Sequence, residues 1–273
     1  MYYLRYFKTQ AEAIGQTANI PTVAMVEGVD KVEFFDGDTS KYYMFAADGD
    51  FLKLKEMLVC IFDCGGSDFP YSLIYKYSDL SNIVSMEIDG VDVTIADSYN
   101  FSKKGKHVIK YALKDSVTSL TYQRYNSYYT TVAFKDVEMT SVIIPNSITE
   151  IGSEAFSYCT KLTSITIPDS VTSIGTSAFE NCIALTSITI PDSVTEIDTD
   201  AFATCTSLAS VTIGNSVANI YMRAFAYCNQ LTSIKYTGTM AQFKSISRVD
   251  YWHLEVPTTT VTCSDGTCGL DET

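Results

Sequence analysis

The chain of 273 residues has only two histidines, His107 and His253, and a single tryptophan. His107 lies in a predicted strand and His253 in a predicted terminal cap, so no Ser/His/Asp or Cys/His catalytic arrangement is indicated. The sequence also lacks a glycine-rich phosphate loop and a metal-ligand spacing of histidines and cysteines. These absences predict a protein that is not an enzyme and that has no cofactor and no metal site.

The sequence has no run of about 18 apolar residues, so no membrane span is predicted. Its first residues, Met1–Lys8, lack the apolar segment and the cleavage site of a signal peptide. Two expectations follow. Either a signal peptide has been removed, or the protein does not use that export route, as expected for a phage particle protein that is released by host lysis.

Basic residues are scarce, with 19 Lys and Arg against 32 Asp and Glu, which gives a net charge of -13. An acidic surface repels the phosphate backbone, so nucleic acid is excluded as an expected partner. Asp198 and Asp200 bring two carboxylates close in sequence. Calcium takes about six or more oxygen ligands, so we interpret these two as ordinary solvated carboxylates rather than a weak calcium site.

Residues Ile144–Lys235 are four copies of a 23-residue unit with no gap between them. A fixed period of this length predicts stacked supersecondary units. Residues one period apart lie above one another in a solenoid, so each recurring position predicts a ladder of like side chains in the core. The ladders, each phenylalanine being preceded by alanine, are Phe156, Phe179, Phe202 and Phe225; Cys159, Cys182, Cys205 and Cys228; Leu162, Leu185, Leu208 and Leu231; Ile165, Ile188, Val211 and Ile234; and Ile151, Ile174, Ile197 and Ile220.

Each unit is predicted to contain a short strand, such as Leu162–Ile167, which Pro168 ends because proline has no backbone N–H. The segment before each cysteine predicts one or two turns of helix. The pattern of Ile167–Cys182 and its in-register copies resembles the BspA-like leucine-rich repeats, which occur in surface proteins of gut anaerobes, spirochaetes and some parasites. The resemblance implies a short right-handed leucine-rich-repeat solenoid with parallel strands and short helical turns, and a function mostly in adhesion.

The predicted fold class is mainly β, with a β-sandwich-like N-terminal region, the solenoid and a C-terminal cap. A solenoid needs atypical ends to cover its core. The degenerate half-repeat Ala133–Pro145 predicts the first cap, and the capping-box pattern Thr239–Gln242 predicts a short helix in the second. The predicted regions are 1–45, a β-hairpin or anchor region; 46–114, an Ig-like β domain; 115–143, a connector and N-terminal repeat cap; 144–236, the leucine-rich repeats; and 237–273, the C-terminal cap.

The two N-terminal regions are predicted from short strands separated by turns. Residues 20–35 indicate a hairpin, Met57–Phe62 and His107–Leu113 indicate strands, and Asp89–Gly90 is a hairpin turn. Short strands punctuated by turns favour a small sandwich. The pattern that includes Phe101–Tyr111 resembles the end of the bacterial Ig-like module that often precedes these repeats.

The eight cysteines form three sets. The four ladder cysteines are predicted to be free thiols that act as small buried apolar side chains, because stacked side chains point in parallel. Cys60, Cys64, Cys263 and Cys268 do not have the two-residue spacing typical of a zinc site. An Asp265–Gly266 hairpin turn would set Cys263 opposite Cys268. The sequence leaves two alternatives for this pair, a disulfide or two free thiols.

Binding residues are predicted where the repeat pattern fails. In the fourth copy Tyr221, Met222 and Arg223 replace small or acidic residues, and we add Tyr227 and Lys235 as binding candidates, with packing against the C-terminal cap as the alternative. Small hydroxyls give hydrogen bonds but no aromatic or arginine anchors, so we interpret the strand ladder as structural. Its members are Ser164, Thr166, Ser187, Thr189, Ser210, Thr212, Ser233 and Lys235.

Two functions are expected. The first is a non-enzymatic interaction or adhesion module on a bacterial surface that binds a protein or a surface-glycan receptor. The second is a virion protein of a phage of gut bacteria, such as a head fibre or a decoration or tail-associated protein, with its N-terminal region anchored to the particle. The sequence leaves open whether the protein forms a homo-oligomer or is attached to a larger assembly. An enzyme that acts on carbohydrate or peptide is disfavoured.

Overall fold

The structure is a computed structural model that describes residues 57–64, 71–74, 78–101, 103–122 and 132–271, together with the backbone of four strands between residues 3 and 46. The chain forms two compact units, Met1–Lys55 with Asp89–Val91, and Glu56–Ile88 with Asp92–Thr273. Within the described ranges, no helix is long and apolar enough to cross a membrane.

The first unit contains a four-stranded sheet. Its strands in order are β1 (Tyr3–Phe7), β2 (Thr22–Val26), β3 (Lys31–Phe35) and β4 (Phe45–Ala46). β1 and β2 are parallel, and the other two pairs are antiparallel. The antiparallel pairing of β2 with β3 confirms the hairpin predicted over residues 20–35.

The second unit begins with a β region. Its strands are β5 (Met57–Cys64), β6 (Tyr71–Ser72), β7 (Ile83–Ile88), β8 (Val91–Val93), β9 (Ser98–Tyr99) and β10 (Gly105–Leu113). β10 lies between β5 and β7 and is antiparallel to both, while β6 pairs with β9. The predicted turn at Asp89–Gly90 is confirmed, and both residues have positive φ, of 52° and 84°. The Ig-like topology stays a prediction.

The repeats form a solenoid in which each coil contributes a strand to each of two faces. The first face is a parallel six-stranded sheet of β11 (Ser119–Leu120), β13 (Glu150–Ile151), β15 (Ser173–Ile174), β17 (Glu196–Ile197), β19 (Asn219–Ile220) and β21 (Ser247–Arg248). The second face has β12 (Met139–Ile143), β14 (Ser164–Thr166), β16 (Ser187–Thr189), β18 (Ser210–Ile213), β20 (Ser233–Tyr236) and β22 (Thr260–Cys263), followed by β23 (Gly266–Gly269). Ser187 pairs with Ser210, one 23-residue period away, so each sequence repeat is one coil.

A column of aromatic rings runs through the core of the solenoid. Consecutive phenylalanines from Phe134 to Phe225 stack nearly parallel, with ring centroids 5.7, 5.3, 5.1 and 5.2 Å apart. Tyr111 contacts Phe134 edge-on at 6.0 Å, and Trp252 contacts Phe225 edge-on at 6.2 Å. Edge-on contacts are a favoured geometry for aromatic pairs. The predicted phenylalanine ladder is thus confirmed, and an edge-on ring closes each end of it.

The β region covers the first edge of the solenoid. β5 pairs antiparallel with β12, with Val142 opposite Cys60 and Ile143 opposite Val59. The Ser78 hydroxyl both accepts from the Ala133 N–H, at 3.1 Å, and donates to its carbonyl oxygen, at 3.2 Å. An uncovered strand edge would leave a row of unpaired backbone groups. The predicted half-repeat cap therefore has a second layer, which belongs to the preceding β region.

The segments between the two faces are not helical, which corrects the predicted helical turns. Two residues in each, four positions apart, have positive φ, for example Asp200 at 57° and Thr204 at 61°. Positive φ interrupts the right-handed helical path. Alternate N–H groups instead donate to the next coil, as Phe202 donates to the Ala224 oxygen at 2.7 Å and Thr204 to the Ala226 oxygen at 2.8 Å. These segments form a third hydrogen-bonded face of the solenoid, here called the turn face.

Thr204 is expected to be a strained position on the turn face. A β-branched residue at a φ of 61° is unfavourable, whereas glycine adopts this region readily. We expect Thr204→Gly to raise the free energy of unfolding by about 1 kcal/mol, since relief of left-handed strain exceeds the entropy that glycine adds to the unfolded chain. Urea unfolding measures the change. Asn181→Gly, at the same place one coil earlier, is the control and should change stability little, because asparagine tolerates this conformation.

The C-terminal cap begins with the predicted helix. Helix α1 (Met240–Ser245) is N-capped by Thr239, and Thr239 and Gln242 form both hydrogen bonds of the capping box. Phe243 is fully buried. The capping-box prediction is confirmed, and β22 continues the second face by pairing with β20 at Thr262 and Lys235.

The terminal hairpin turns one residue earlier than predicted, at Ser264–Asp265 instead of Asp265–Gly266. Cys263 therefore lies opposite Gly266, and Cys268 lies opposite Val261, so the two cysteines are diagonal rather than directly opposite. Two hydrogen bonds hold the turn in this place. The Asp265 carboxylate accepts from the Met240 N–H at 2.7 Å, and the Ser264 N–H donates to the Gly238 oxygen at 2.9 Å.

The ladder cysteines are free and fully buried, as predicted. Each thiol also donates to the carbonyl oxygen of a phenylalanine in the preceding coil, as Cys205 donates to Phe179 at 3.2 Å. Burial is the main cause that raises the pKa of Cys228 to about 12, against a smaller lowering by a backbone hydrogen bond. The ladder thiols are thus core side chains that also satisfy a buried backbone acceptor.

Thiol reagents should modify the ladder cysteines slowly in the native protein. The thiolate is the reactive species, and the raised pKa of Cys228, about 12, keeps that thiol almost fully protonated from pH 7 to pH 9. We therefore expect labelling by a maleimide, followed by mass spectrometry, to stay slow from pH 7 to pH 9 and to become fast in urea. Rapid labelling of all four in the native state would show that they are not in the core.

Candidate functional site

Four of the five predicted binding residues lie together on the turn face of the coil that begins with β19. Tyr221 and Arg223 are half-buried, while Met222 and Tyr227 are 39% and 37% exposed. Lys235 lies elsewhere, on the exposed side of β20, between Thr212 of β18 and Thr262 of β22. The structure therefore brings together the tyrosines, the methionine and the arginine, and separates Lys235 from them.

Arg223 is held in place by Asp200 of the preceding coil. Its Nε and Nη2 atoms donate to the two carboxylate oxygens at 2.8 and 2.7 Å. These hydrogen bonds, with the negative charge of Asp200, raise the pKa of Arg223. A bidentate pair fixes the plane of the guanidinium group, so the side chain is ordered before any partner arrives. Both residues occupy left-handed positions, with φ of 56° and 57°.

The next segment of the chain extends this surface. The Phe225 N–H donates to the Trp252 oxygen and the Tyr227 N–H to the Leu254 oxygen, both at 2.8 Å. The same pattern links earlier coils, so residues 249–256 are the turn face of one more coil. By this correspondence Val249 occupies the position of Tyr221 in the next coil, and Tyr251 occupies the position of Arg223. Tyr251 also has the positive φ of its position, 65°.

Sequence reasoning missed Val249 and Tyr251 as surface residues. They are 41% and 65% exposed. The helix α1 lengthens the spacing from 23 to 28 residues, so a search at a fixed period does not find them. The signal that could have found them is the Tyr251–Trp252 pair, where a bulky aromatic residue again occupies a core position. We call Tyr221, Met222, Arg223, Tyr227, Val249 and Tyr251 the C-terminal patch.

An open pocket of about 530 Å³ adjoins the patch and is lined by residues 248–256 and by Asp271. His253 Nε2 lies 2.8 Å from the carboxylate of Asp271 in its wall. The other histidine, His107, is in the β region, stacked on Phe101 with its Nε2 2.9 Å from the Lys103 oxygen. Among the residues that the structure describes, no three His, Cys, Asp or Glu side chains are grouped to hold a metal ion.

The predicted hydroxyl ladder lies on the outward side of the second face. Its members alternate with buried core residues, as Ser187 and Thr189 flank Ile188, which is 3% exposed. Hydroxyls here also bond along the ladder, as the Ser164 hydroxyl donates to that of Ser141 at 3.3 Å. The ladder is therefore exposed and regular, and its side chains are small.

Residues 127–247 match the model of the BspA type leucine rich repeat region, in six copies. These residues are a BspA-type leucine-rich repeat region. The matched range extends beyond the four regular units at both ends, into the regions predicted as caps. No curated protein matches the sequence.

Three solved structures of leucine-rich proteins are similar to this chain. A leucine rich cell surface protein from Faecalibacterium prausnitzii A2-165 is 32% identical, with 56% of this chain and 41% of that chain covered and a TM-score of 0.35. A leucine-rich repeat protein from Bacteroides ovatus ATCC 8483 is 31% identical, with 43% and 39% covered and a TM-score of 0.30. A leucine rich repeat protein of T. pallidum is 22% identical, with 54% and 80% covered and a TM-score of 0.36. The chain thus spans about two fifths of the first two proteins.

Proposed function

We propose that the protein is a non-enzymatic interaction module that binds a protein partner through the C-terminal patch. The observation that carries the proposal is the clustering of exposed apolar side chains. Among the described residues nine large hydrophobic side chains are exposed, and four of these, Met222, Tyr227, Val249 and Tyr251, lie in two consecutive coils. Clustered exposed apolar surface marks interaction sites on soluble proteins.

The composition of the patch supports a protein partner. Tyrosine, methionine and arginine are enriched at the centres of protein interfaces, and the few residues that dominate binding are mostly Trp, Tyr and Arg. The pairing of Arg223 with Asp200 lowers the entropy lost on binding, because the side chain is already ordered. The hydroxyl ladder lacks such anchors, since serine and threonine are under-represented among dominant contact residues.

A direct test compares three forms of the protein in capture from surface extracts. The patch variant carries Met222→Ser, Tyr227→Ser and Tyr251→Ser. The control variant carries Tyr158→Ser and Ile183→Ser, which change side chains on the turn face of earlier coils that are 43% and 41% exposed, close to the values for Met222 and Tyr227. We expect the wild type and the control variant to capture the same partner, and the patch variant to bind it at least about tenfold more weakly.

Two results would contradict the proposal. One is equal binding by the patch variant, and the other is an equal loss by the control variant. Binding that survives protease treatment of the extract, but is lost after periodate oxidation of its glycans, would replace the protein partner by a glycan receptor.

We further propose that the module acts in adhesion at a bacterial surface. The resemblance to the BspA-like repeats supports this location, since the class occurs in surface proteins. Quantitative proteomics of peptides shaved from intact cells, compared with purified phage particles from the same culture, tests it. Enrichment on cells is expected. Enrichment on particles would favour the virion protein and would overturn the surface adhesin.

A further inference from the structure

Two thiols lie on the same side of the terminal hairpin. Cys263 ends β22 and Cys268 lies within β23, and both side chains point to the buried side. Although the two residues are diagonal in the register, their side chains lie on the same face of the hairpin. The ladder thiols differ, because each donates to a phenylalanine carbonyl oxygen.

These two cysteines are also the most accessible in the part of the chain that the structure describes. Cys263 is 7% and Cys268 is 6% exposed, whereas every other cysteine is at most 1% exposed. A dissolved oxidant therefore reaches this pair before any thiol of the ladder. Thiolate fraction and access both decide which thiol reacts. Burial, and then the neighbouring Cys268, raise the pKa of Cys263 to about 11, which is below the value of about 12 for Cys228, so access and pKa both favour Cys263 over that ladder thiol.

A small movement of the hairpin would bring the two sulfur atoms into bonding distance. A disulfide spans about 4.4–6.8 Å between Cα atoms, while diagonal neighbours lie about 7–8 Å apart, so closure requires a shift of about 1 Å. Gly266, opposite Cys263, has no side chain that would resist the shift. It lies next to the turn and is exposed to solvent.

We propose that Cys263 and Cys268 form an oxidation site that closes to an intramolecular disulfide by exchange with a low-molecular-weight or protein disulfide. One thiolate attacks a sulfur of the oxidant, which forms a mixed disulfide and releases one oxidant thiol. The second thiolate then attacks the protein sulfur of the mixed disulfide and releases the other oxidant thiol. The two cysteines lose two electrons and two protons, and the oxidant gains them as two thiols.

The bond would fix the segment that closes the solenoid. The hairpin carries Asp265, which accepts from the first N–H of helix α1, and its strand β22 pairs with β20. A ring across the turn keeps these contacts in place when the last coil opens. Oxidation is therefore expected to reduce amide hydrogen exchange in residues 235–270 and to leave the first coils unchanged.

The test equilibrates the full chain with oxidised and reduced glutathione at several ratios, blocks free thiols and maps the peptides by mass spectrometry. We expect a Cys263–Cys268 linkage, seen as a loss of about 2 Da from the hairpin peptide, while the ladder cysteines stay blocked as thiols. Absence of the linkage at the most oxidising ratio would overturn the proposal. So would a linkage of Cys60 to Cys64 that forms first.

Three variants sharpen the result. Cys263→Ser and Cys268→Ser should each stop at the mixed disulfide with glutathione, because no second thiol is near. Cys205→Ser removes a ladder thiol and should leave closure unchanged. Wild-type protein that also stops at the mixed disulfide would contradict the proposal, since the second thiol would then be unable to reach the first.

Discussion

Replacement of Phe179 by alanine is expected to lower the free energy of unfolding by about 3–5 kcal/mol, the usual range for truncating a buried phenylalanine. Phe179 is fully buried and lies between Phe156 and Phe202, with ring centroids 5.3 and 5.1 Å away. Its removal leaves a cavity in the middle of the aromatic column. The backbone hydrogen bonds of the neighbouring coils hold their spacing, so the cavity cannot collapse. Urea unfolding followed by circular dichroism measures the change.

Ile183→Ala is the matched control, because Ile183 lies four residues on in the same coil and is 41% exposed. We expect it to change stability by no more than about 0.5 kcal/mol. A loss below about 1 kcal/mol for Phe179→Ala would contradict the aromatic column as a main source of stability.

Replacement of Trp252 by alanine should lower stability by a similar amount, but only at the C-terminal end of the solenoid. Trp252 is 3% exposed, contacts Phe225 edge-on and accepts the Phe225 N–H. We expect a loss of about 3–5 kcal/mol in the stability of the last coils. Each coil of a solenoid contacts only its neighbours, so the damage should not spread along the whole array.

Hydrogen exchange followed by mass spectrometry separates local from global loss. Protection should fall in residues 219–271 and persist in residues 144–189. Tyr251→Ala, next to the tryptophan but 65% exposed, is the control and should leave both regions protected. Equal loss of protection in both regions would show that the solenoid unfolds as one unit and would contradict local capping by Trp252.

The core of the repeats could be predicted from the sequence because it depends on one period. Phe202 and Cys205 recur at 23-residue intervals, and equal spacing along the chain becomes stacking in space. The same argument placed Phe134 in the degenerate half-repeat through its Ala133–Phe134 pair, one residue short of the period. It could not identify Tyr111, because a strand outside the period brings that ring to the end of the column through non-local pairing.

The turn face could not be predicted because its conformation leaves little trace in residue type. Positive φ usually selects glycine or asparagine, but here Glu154, Arg223 and Tyr227 adopt it. Backbone hydrogen bonds to the next coil hold Glu154 and Tyr227 in the left-handed region.

The candidate site was predicted in part. Tyr221, Met222 and Arg223 were found because they interrupt a regular column, whereas Lys235 interrupts a column on another face. Val249 and Tyr251 follow an inserted helix, which hides their place in the repeat. A residue that breaks the 23-residue pattern is therefore easier to find in the sequence than a residue that keeps its place in the coil but comes after an insertion.

The rings that close the two ends of the aromatic column have a consequence for the length of the molecule. Tyr111 contacts Phe134 and Trp252 contacts Phe225, and between them the strands of the first face pair in parallel with the same 23-residue register. A duplication of residues 167–189 within the gene would add one ring and one thiol to the column without altering either end. The number of coils is thus free to vary by recombination, and each added coil would change the distance between Tyr111 of the β region and the C-terminal patch by about 5 Å.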